Sequence, residues 1–259
     1  MKQKFIPCRT CRNKPGPKPG FYFETIPYGQ STSRVVVECD CHKEWKHRNL
    51  FEISAVRNSI WPEALDYNPD NDYVGSHSLD NVQRLQKYVT NFEDYTDVMV
   101  YVYGPNGTQK TTLVQWVGAS LLDRGYSVRY VLMQNLIEML WKREDDFDDE
   151  AFRGREITKL KTIDLLIVDE AFSREKVSLY KSGYQLPYLD RFLRERFEMH
   201  RKGLVFISNH PPEEIGQHGF SKSIEDLIVR KTRPQKSALE FLDNYVKSAS
   251  TFDIPGVFD

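Results

Sequence analysis

Nine residues carry the most chemistry for their length: Gly104, Pro105, Asn106, Gly107, Thr108, Gln109, Lys110, Thr111 and Thr112. Gly104, Lys110 and Thr111 have the spacing of a phosphate-binding P-loop, G-x-x-x-x-G-K-[ST]. In such a loop, backbone N–H groups and a helix N-terminus point at phosphate oxygens. Lys110 would add a point charge on the outer phosphates of ATP, and the Thr111 hydroxyl would take one Mg²⁺ coordination position. Asp169 and Glu170 follow the apolar run Ile163–Val168. An acid there would hold Mg²⁺ directly or through water, and the next would polarise an attacking water. Asn209, after the apolar 204–208, would orient that water or contact the γ-phosphate.

Position 109 departs from the pattern, because glutamine stands where a second glycine is expected. Glycine there lets phosphates approach the backbone without a Cβ in the way. Gln109 must turn its side chain outward or crowd the β-phosphate; alternatively, Thr108 and Gln109 offer side-chain hydrogen bonds to the phosphates. The expected consequence is weaker binding or slower hydrolysis, with the fold retained.

A second group of chemistry-bearing residues lies near the start, as Cys8-x-x-Cys11 and Cys39-x-Cys41. Two close pairs of thiolates are a zinc-ligand pattern. The segment between them has few aliphatic residues, so a metal staple would compensate for a small core. His42 or His47 could replace one cysteine, and four free structural thiols are the bland alternative. Residues 1–48 hold ten basic and four acidic residues, a net charge of +6, although the whole 259-residue chain is near neutral at −1. Any nucleic-acid surface must therefore be local.

The elements that position these groups follow from periodicity. Val98–Tyr103, Ser127–Leu132, Ile163–Val168 and Leu204–Ser208 read as strands. Helical patterns cover Glu44–Ile60, the segment from Ser78 to Tyr88, Thr111–Asp123, Gln134–Lys142 and Leu186–His200. Continuous apolar strands alternating with helices argue for an α/β fold with a central parallel sheet covered on both faces. Ligands of such sheets bind beyond the carboxyl ends of the strands, where Gly104–Thr111, Asp169, Glu170 and Asn209 fall. Trp61-Pro62, Asn68-Pro69 and the Asn/Asp cluster at 68–72 are breakers. The expected division is a zinc-binding module at 1–48, a helical linker at 49–77, a nucleotide domain at 78–235 and a tail at 236–259. The acidic stretch Asp145–Glu150 reads as a solvated loop. No apolar run approaches the ~20 residues of a membrane span, and no signal-peptide core is present. The expected setting is a reducing cytoplasm, without membrane partners.

Residues from about 78 to 233 resemble the AAA+ ATPase domain of bacterial and phage helicase loaders of the DnaC/DnaI type, with the IstB transposition ATPases as close relatives. The matching stretches are YVYGPNGTQKTTL, LLIVDE, LDRFLRERFEMHRKG and LVFISN. The cysteine pairs resemble the zinc module of the DnaI-like branch. The resemblance implies a protein that delivers a hexameric replicative DNA helicase to single-stranded DNA, in a bacterial or phage-infected cell. It implies that the N-terminal module binds the helicase, and that the AAA+ domain binds ATP and single-stranded DNA and forms a homo-oligomer when ATP-bound. It also implies an arginine reaching a neighbouring subunit's γ-phosphate; Arg230 is favoured, with Arg233 and Arg196 as alternatives. Two competing readings are a transposition-type regulator that coats double-stranded DNA, and a zinc-stapled scaffold with weak or no ATPase activity. The basic segment Ser173–Gln185 is either a single-strand contact or a solvated loop. The apolar end, 252–258, is a candidate docking segment.

Overall fold

Two eight-residue strands frame the N-terminal region: β1 (Phe21–Tyr28) pairs antiparallel with β2 (Ser31–Glu38), Phe21 opposite Glu38 and Thr25 opposite Arg34. The structure is a computed structural model that describes residues 5–28, 31–141, 147–174, 176–177, 183–234 and 236–242. It divides into two units, Met1–Arg57 and Asn58–Asp259. In the first, the short helix α1 (Arg9–Asn13) follows Cys8, and the long helix α2 (Asp40–Arg57) follows Cys39. The loop before β1 is drawn onto the hairpin by Phe23 N–H donating to the Pro15 carbonyl, and Cys39 N–H donates to the Gly20 carbonyl. Cys11 and Cys39 are buried, whereas Val36 is 54% exposed. Gly20, Phe51 and Ala55 are also buried, so cysteines make up a large share of the buried residues among those described in this small unit.

The second unit opens with a 3₁₀ turn (Pro62–Asp66), followed by the α-helices α3 (Pro69–Asp72), α4 (Leu79–Thr90), α5 (Lys110–Asp123), α6 (Met133–Trp141), α7 (Phe147–Thr162), α8 (Leu186–Arg194) and α9 (Lys222–Thr232). Between them run β3 (Met99–Tyr103), β4 (Val128–Leu132), β5 (Leu165–Asp169), β6 (Gly203–Ser208) and β7 (Ala238–Glu240). Among the described residues these five strands form one parallel sheet, ordered β4-β5-β6-β3-β7. Successive strand residues face opposite sides. Met99, Tyr101, Leu166, Val168, Leu204 and Phe206 join a core with α6, α8 and α9. The other face carries α5, where a Cβ added to Gly118 would lie 2.7 Å from Ile60 Cδ1 and 2.9 Å from Ile167 Cδ1. Glycine at 118 is what lets the 58–60 segment and the sheet approach the helix together.

Several boundaries differ from the sequence expectation. The division falls at Arg57, not at 48 or at 77, because α2 runs unbroken to that point. Residues 58–61 belong to the second unit: Tyr130 N–H donates to the Asn58 carbonyl, and Trp61 N–H to Oε1 of buried Gln115. Residues 236–242, expected as the beginning of a tail, instead supply β7, the strand beside β3. Three residues are too few to announce a strand by alternation. Residues 147–150 of the acidic stretch lie in α7, while 145 and 146 fall outside the described residues. Much of Ser173–Gln185 and all of 252–258 also lie outside them. Within the former, Val177 and Gln185 are buried and Tyr184 meets Trp141 edge-on, so these positions contribute to packing.

The helix expected over Leu186–His200 ends its regular part at Arg194 and continues as a wider π turn, Glu195–Met199. Arg196 in that turn is fully buried, its guanidinium donating to the carbonyls of Leu160, Ile163 and Gly203. It ties α7 to the start of β6 and cannot reach a neighbouring subunit, which removes it as a candidate finger. Arg196→Ala leaves three carbonyls without that donor and should destabilise the protein by about 3 kcal/mol. The urea midpoint measures this; a loss below about 1 kcal/mol would contradict the assignment.

Candidate functional site

The loop 104–109 leaves β3 and re-enters regular structure as α5, so the helix N-terminus faces the carboxyl edge of the sheet. Gly104 has φ +141°, and an added Cβ would sit 1.9 Å from the Phe241 carbonyl oxygen. The chain after β7 crosses there, with Phe241 N–H donating to the Tyr103 carbonyl at 2.7 Å. Glycine at 104 is therefore required by a neighbouring backbone as well as by the turn. Lys110 is buried and its ammonium is folded into the loop, donating to the carbonyls of Gly104 (2.8 Å) and Pro105 (2.7 Å). Burial pushes its pKa down to about 8, with the Asp169 carboxylate opposing that shift.

Gln109 takes a left-handed backbone conformation, φ 57° and ψ 14°. Its side chain turns outward: Oε1 accepts from Val74 N–H at 2.9 Å, and Nε2 donates to the Asp72 carbonyl at 3.5 Å. Of the expected alternatives, the outward one is observed. The αL geometry explains why glycine is the ordinary occupant, and the clamp on 72–74 explains what a glutamine gains there.

At the end of β5, Asp169 Oδ2 accepts from the Thr111 hydroxyl at 3.0 Å and from the Tyr130 hydroxyl at 2.6 Å. Tyr130 comes from β4; burial, and then the charge of Asp169, raise its pKa. Glu170 has φ +52°, and its Oε1 lies 3.4 Å from the ammonium of Lys176. Asn209 follows β6. Asn106 through Thr112, Asp169, Glu170, Lys176 and Asn209 line one cavity of about 290 Å³, together with Ser173, Ile207 and Ser208. Gly104 and Pro105 lie beneath it, holding Lys110. Sequence reasoning did not single out Tyr130, Lys176 or the Asp72–Val74 clamp. Tyr130 follows from its strand position, two residues before the end of β4, beside β5. Arg230 is exposed on the last turn of α9 with Glu198 at 3.7 Å, and Arg233 sits 3.7 Å from Glu213; neither lines the cavity.

In the first unit the four cysteine sulfurs converge. The separations are 3.8 Å (Cys8–Cys11), 3.6 Å (Cys8–Cys39), 3.5 Å (Cys11–Cys41) and 3.4 Å (Cys39–Cys41). Zn–S bonds of about 2.3 Å in a tetrahedron give S–S edges of about 3.8 Å, so the set fits Zn²⁺; a disulfide would need about 2.05 Å. The Cys11 backbone N–H lowers the Cys8 pKa to about 6, and burial pushes Cys41 up to about 12. His42 is occupied elsewhere, with Nδ1 2.6 Å from Glu38 Oε1 and its ring against Phe5 and Phe21.

A parallel sheet in which β6 separates the P-loop strand from the Asp169 strand, with Lys110, Thr111 and Asp169 around one cavity, defines an AAA+ P-loop protein. Residues 35–182 match the family of IstB-like ATP-binding proteins, and the chain belongs to that family. Its nucleotide site is accordingly an ATP-binding one. The fold is similar to that of the DnaC helicase loader (15% identity, TM-score 0.51, covering 70% of this chain and 98% of that one). It is also similar to a putative primosome component from Streptococcus pyogenes serotype M3 (17%, 0.50, 74% and 96%). The replication initiator DnaA bound to AMPPCP and single-stranded DNA aligns at 18% identity and TM-score 0.50, over 68% of this chain. This chain spans about half of that protein's length, 49%. At such identities the likeness is one of fold. No curated protein matches at a significant level. Among the described residues, no helix is long and apolar enough to cross a membrane.

Two outcomes follow from the loop geometry. Gln109→Ala keeps the left-handed backbone and loses the clamp, whereas Gln109→Gly loses the clamp but relaxes the backbone. Thermal unfolding should place the alanine variant about 1 kcal/mol below the glycine variant, and equal stabilities would refute the strain at this position. Phosphate binding favours the charged form of Lys110, so above its free-protein pKa binding must first take up a proton. Nucleotide affinity should fall about tenfold from about pH 7 to about pH 9. Calorimetry in buffers of different ionisation enthalpy would detect the proton, and a flat profile would exclude this role.

Proposed function

We propose that the protein is an ATP-dependent loader of a hexameric replicative DNA helicase onto single-stranded DNA. The observation that carries the reading is the joint placement of Lys110, Thr111, Asp169, Glu170 and Asn209 around one cavity, in a chain that also gathers four cysteines. Fold likeness to the DnaC helicase loader and to the DNA-bound initiator supports it.

In this reading ATP phosphates replace the loop carbonyls as partners of Lys110, and the N–H groups opening α5 face them. Mg²⁺ supplies charge neutralisation on the phosphates, and the Thr111 hydroxyl and Asp169 carboxylate, already 3.0 Å apart, are the groups that would hold it. Tyr130 keeps Asp169 oriented. Glu170 polarises the attacking water once its carboxylate leaves Lys176, and Asn209 aligns that water. Arg230, exposed at the end of α9, serves a neighbouring subunit in an ATP-bound homo-oligomer. Cys8, Cys11, Cys39 and Cys41 hold Zn²⁺, and their unit contacts the helicase.

A second reading, a transposition-type regulator coating double-stranded DNA, is favoured by the family match alone. Lys176 on Glu170 favours a third, a scaffold with slow turnover. Glu170→Gln should retain ATP and lose at least about a hundredfold in hydrolysis; turnover equal to wild type would remove Glu170 from the mechanism. Anisotropy with single- and double-stranded oligonucleotides of equal length should favour the single strand. Affinity capture from host cells should return a hexameric replicative helicase. A preference for duplex with no helicase would transfer the assignment to the second reading.

A further inference from the structure

Immediately beyond Asn209 the chain makes a tight excursion that neither the ATP site nor the cysteine cluster uses. His210 is tied to the sheet edge: its N–H donates to Ser208 Oγ at 3.2 Å, and its carbonyl accepts from the Tyr101 hydroxyl at 3.1 Å. Pro211 and Pro212 redirect the backbone into a short 3₁₀ turn, Pro212–Glu214. Glu214 N–H bonds back to the Pro211 carbonyl, and His218 N–H to the Glu214 and Ile215 carbonyls. Ile215 and Phe220 are buried in the core and anchor the excursion. The result brings His210, Glu214 and His218 together although they span nine positions. One ligand atom from each lies within 4.8 Å of the other two. The imidazoles are stacked with centroids 3.6 Å apart and planes 30° apart, and His218 Nε2 is 3.9 Å from Glu214 Oε2.

We propose that His210, Glu214 and His218 form a second metal site, for a divalent transition ion such as Zn²⁺. Two imidazole nitrogens and one carboxylate oxygen are a zinc donor set that leaves a fourth position for water. The nitrogen donors select against Mg²⁺ and Ca²⁺, which prefer oxygen. Zn–N and Zn–O bonds of about 2.0–2.2 Å put tetrahedral ligand atoms about 3.3 Å apart. Ligation requires side-chain rotations that close the 3.9 Å between His218 and Glu214 and turn the stacked imidazoles until an in-plane nitrogen of each points at one ion, and all three side chains are only partly buried. A metal here joins the end of β6 to the turn after it, and so braces the backbone beside Asn209. The ion is a brace, distinct from the Mg²⁺ position at Thr111 and Asp169.

Full-length untagged protein, loaded with one equivalent of zinc to occupy the thiolates, is titrated with Co²⁺ and followed by visible absorption. The site takes up one further equivalent, with ligand-field bands and no thiolate-to-cobalt charge-transfer band. His210→Ala with His218→Ala abolishes that uptake, while Glu214→Gln weakens it by at least about tenfold; zinc content of the cysteine cluster is unchanged in both. Glu214→Gln is the control for folding, since it preserves shape and both imidazoles. No second equivalent, a second equivalent with thiolate character, or uptake unaffected by the histidine variants would each overturn the proposal. Because the readout is metal uptake, the result stands apart from any finding about ATP hydrolysis or helicase binding.

Discussion

A buried ammonium sets the terms for the nucleotide unit. Lys110 is enclosed by the loop that precedes it, and burying a charge without partners would be costly. The carbonyls of Gly104 and Pro105 supply those partners, which holds the loop curled around an anion-shaped space. Curling is possible because Gly104 has no Cβ to strike the chain beyond β7, and because Gln109 is held in a left-handed turn by the 72–74 segment. Across the cavity, Asp169 is fixed by hydroxyls from two other elements, Thr111 on α5 and Tyr130 on β4. The sheet order places β6 between the two walls and brings Asn209 to the gap. Gly104, Gln109 and Asp169 are each positioned by neighbours distant in sequence, so the cavity depends on the sheet as a whole.

Much of this was legible in the sequence because parallel strands announce themselves. Val98–Tyr103 and Ile163–Val168 are apolar on both faces, and the polar residues that follow them lie at the ligand-binding edge. What was not legible has specific causes. β7 is three residues long and carries no alternation. The role of Gln109 lies in two hydrogen bonds to a segment some 35 positions away. Arg196 keeps the helical spacing of the buried Leu189, Phe192 and Leu193, but a charged residue type gives no sign that it will lie inside and hold three carbonyls. Lys176 falls in a basic stretch where spacing gives no hint that it will meet Glu170.

The N-terminal unit follows a different physical rule. It has eight-residue strands but little aliphatic surface to bury, and its aromatic rings are engaged by cations: Lys14 over Tyr22, Lys18 over Phe21 and Arg34 over Phe23. The four sulfurs are brought together by the starts of two helices and the ends of the hairpin. Convergence of that kind needs no large core.

The crossing of Phe241 over Gly104, with the grip of Gln109 on residues 72–74, has a consequence for where the molecule can be cut. Fragments bounded by the recognisable motifs, beginning near 78 and stopping after α9, would retain every phosphate-facing residue. They would lack the fifth strand, the backbone that crosses Gly104 and the segment that Gln109 grips. A fragment that keeps the loop's shape therefore has to include residues 72–74 and run past Phe241, because that shape is stored partly at both ends of its unit.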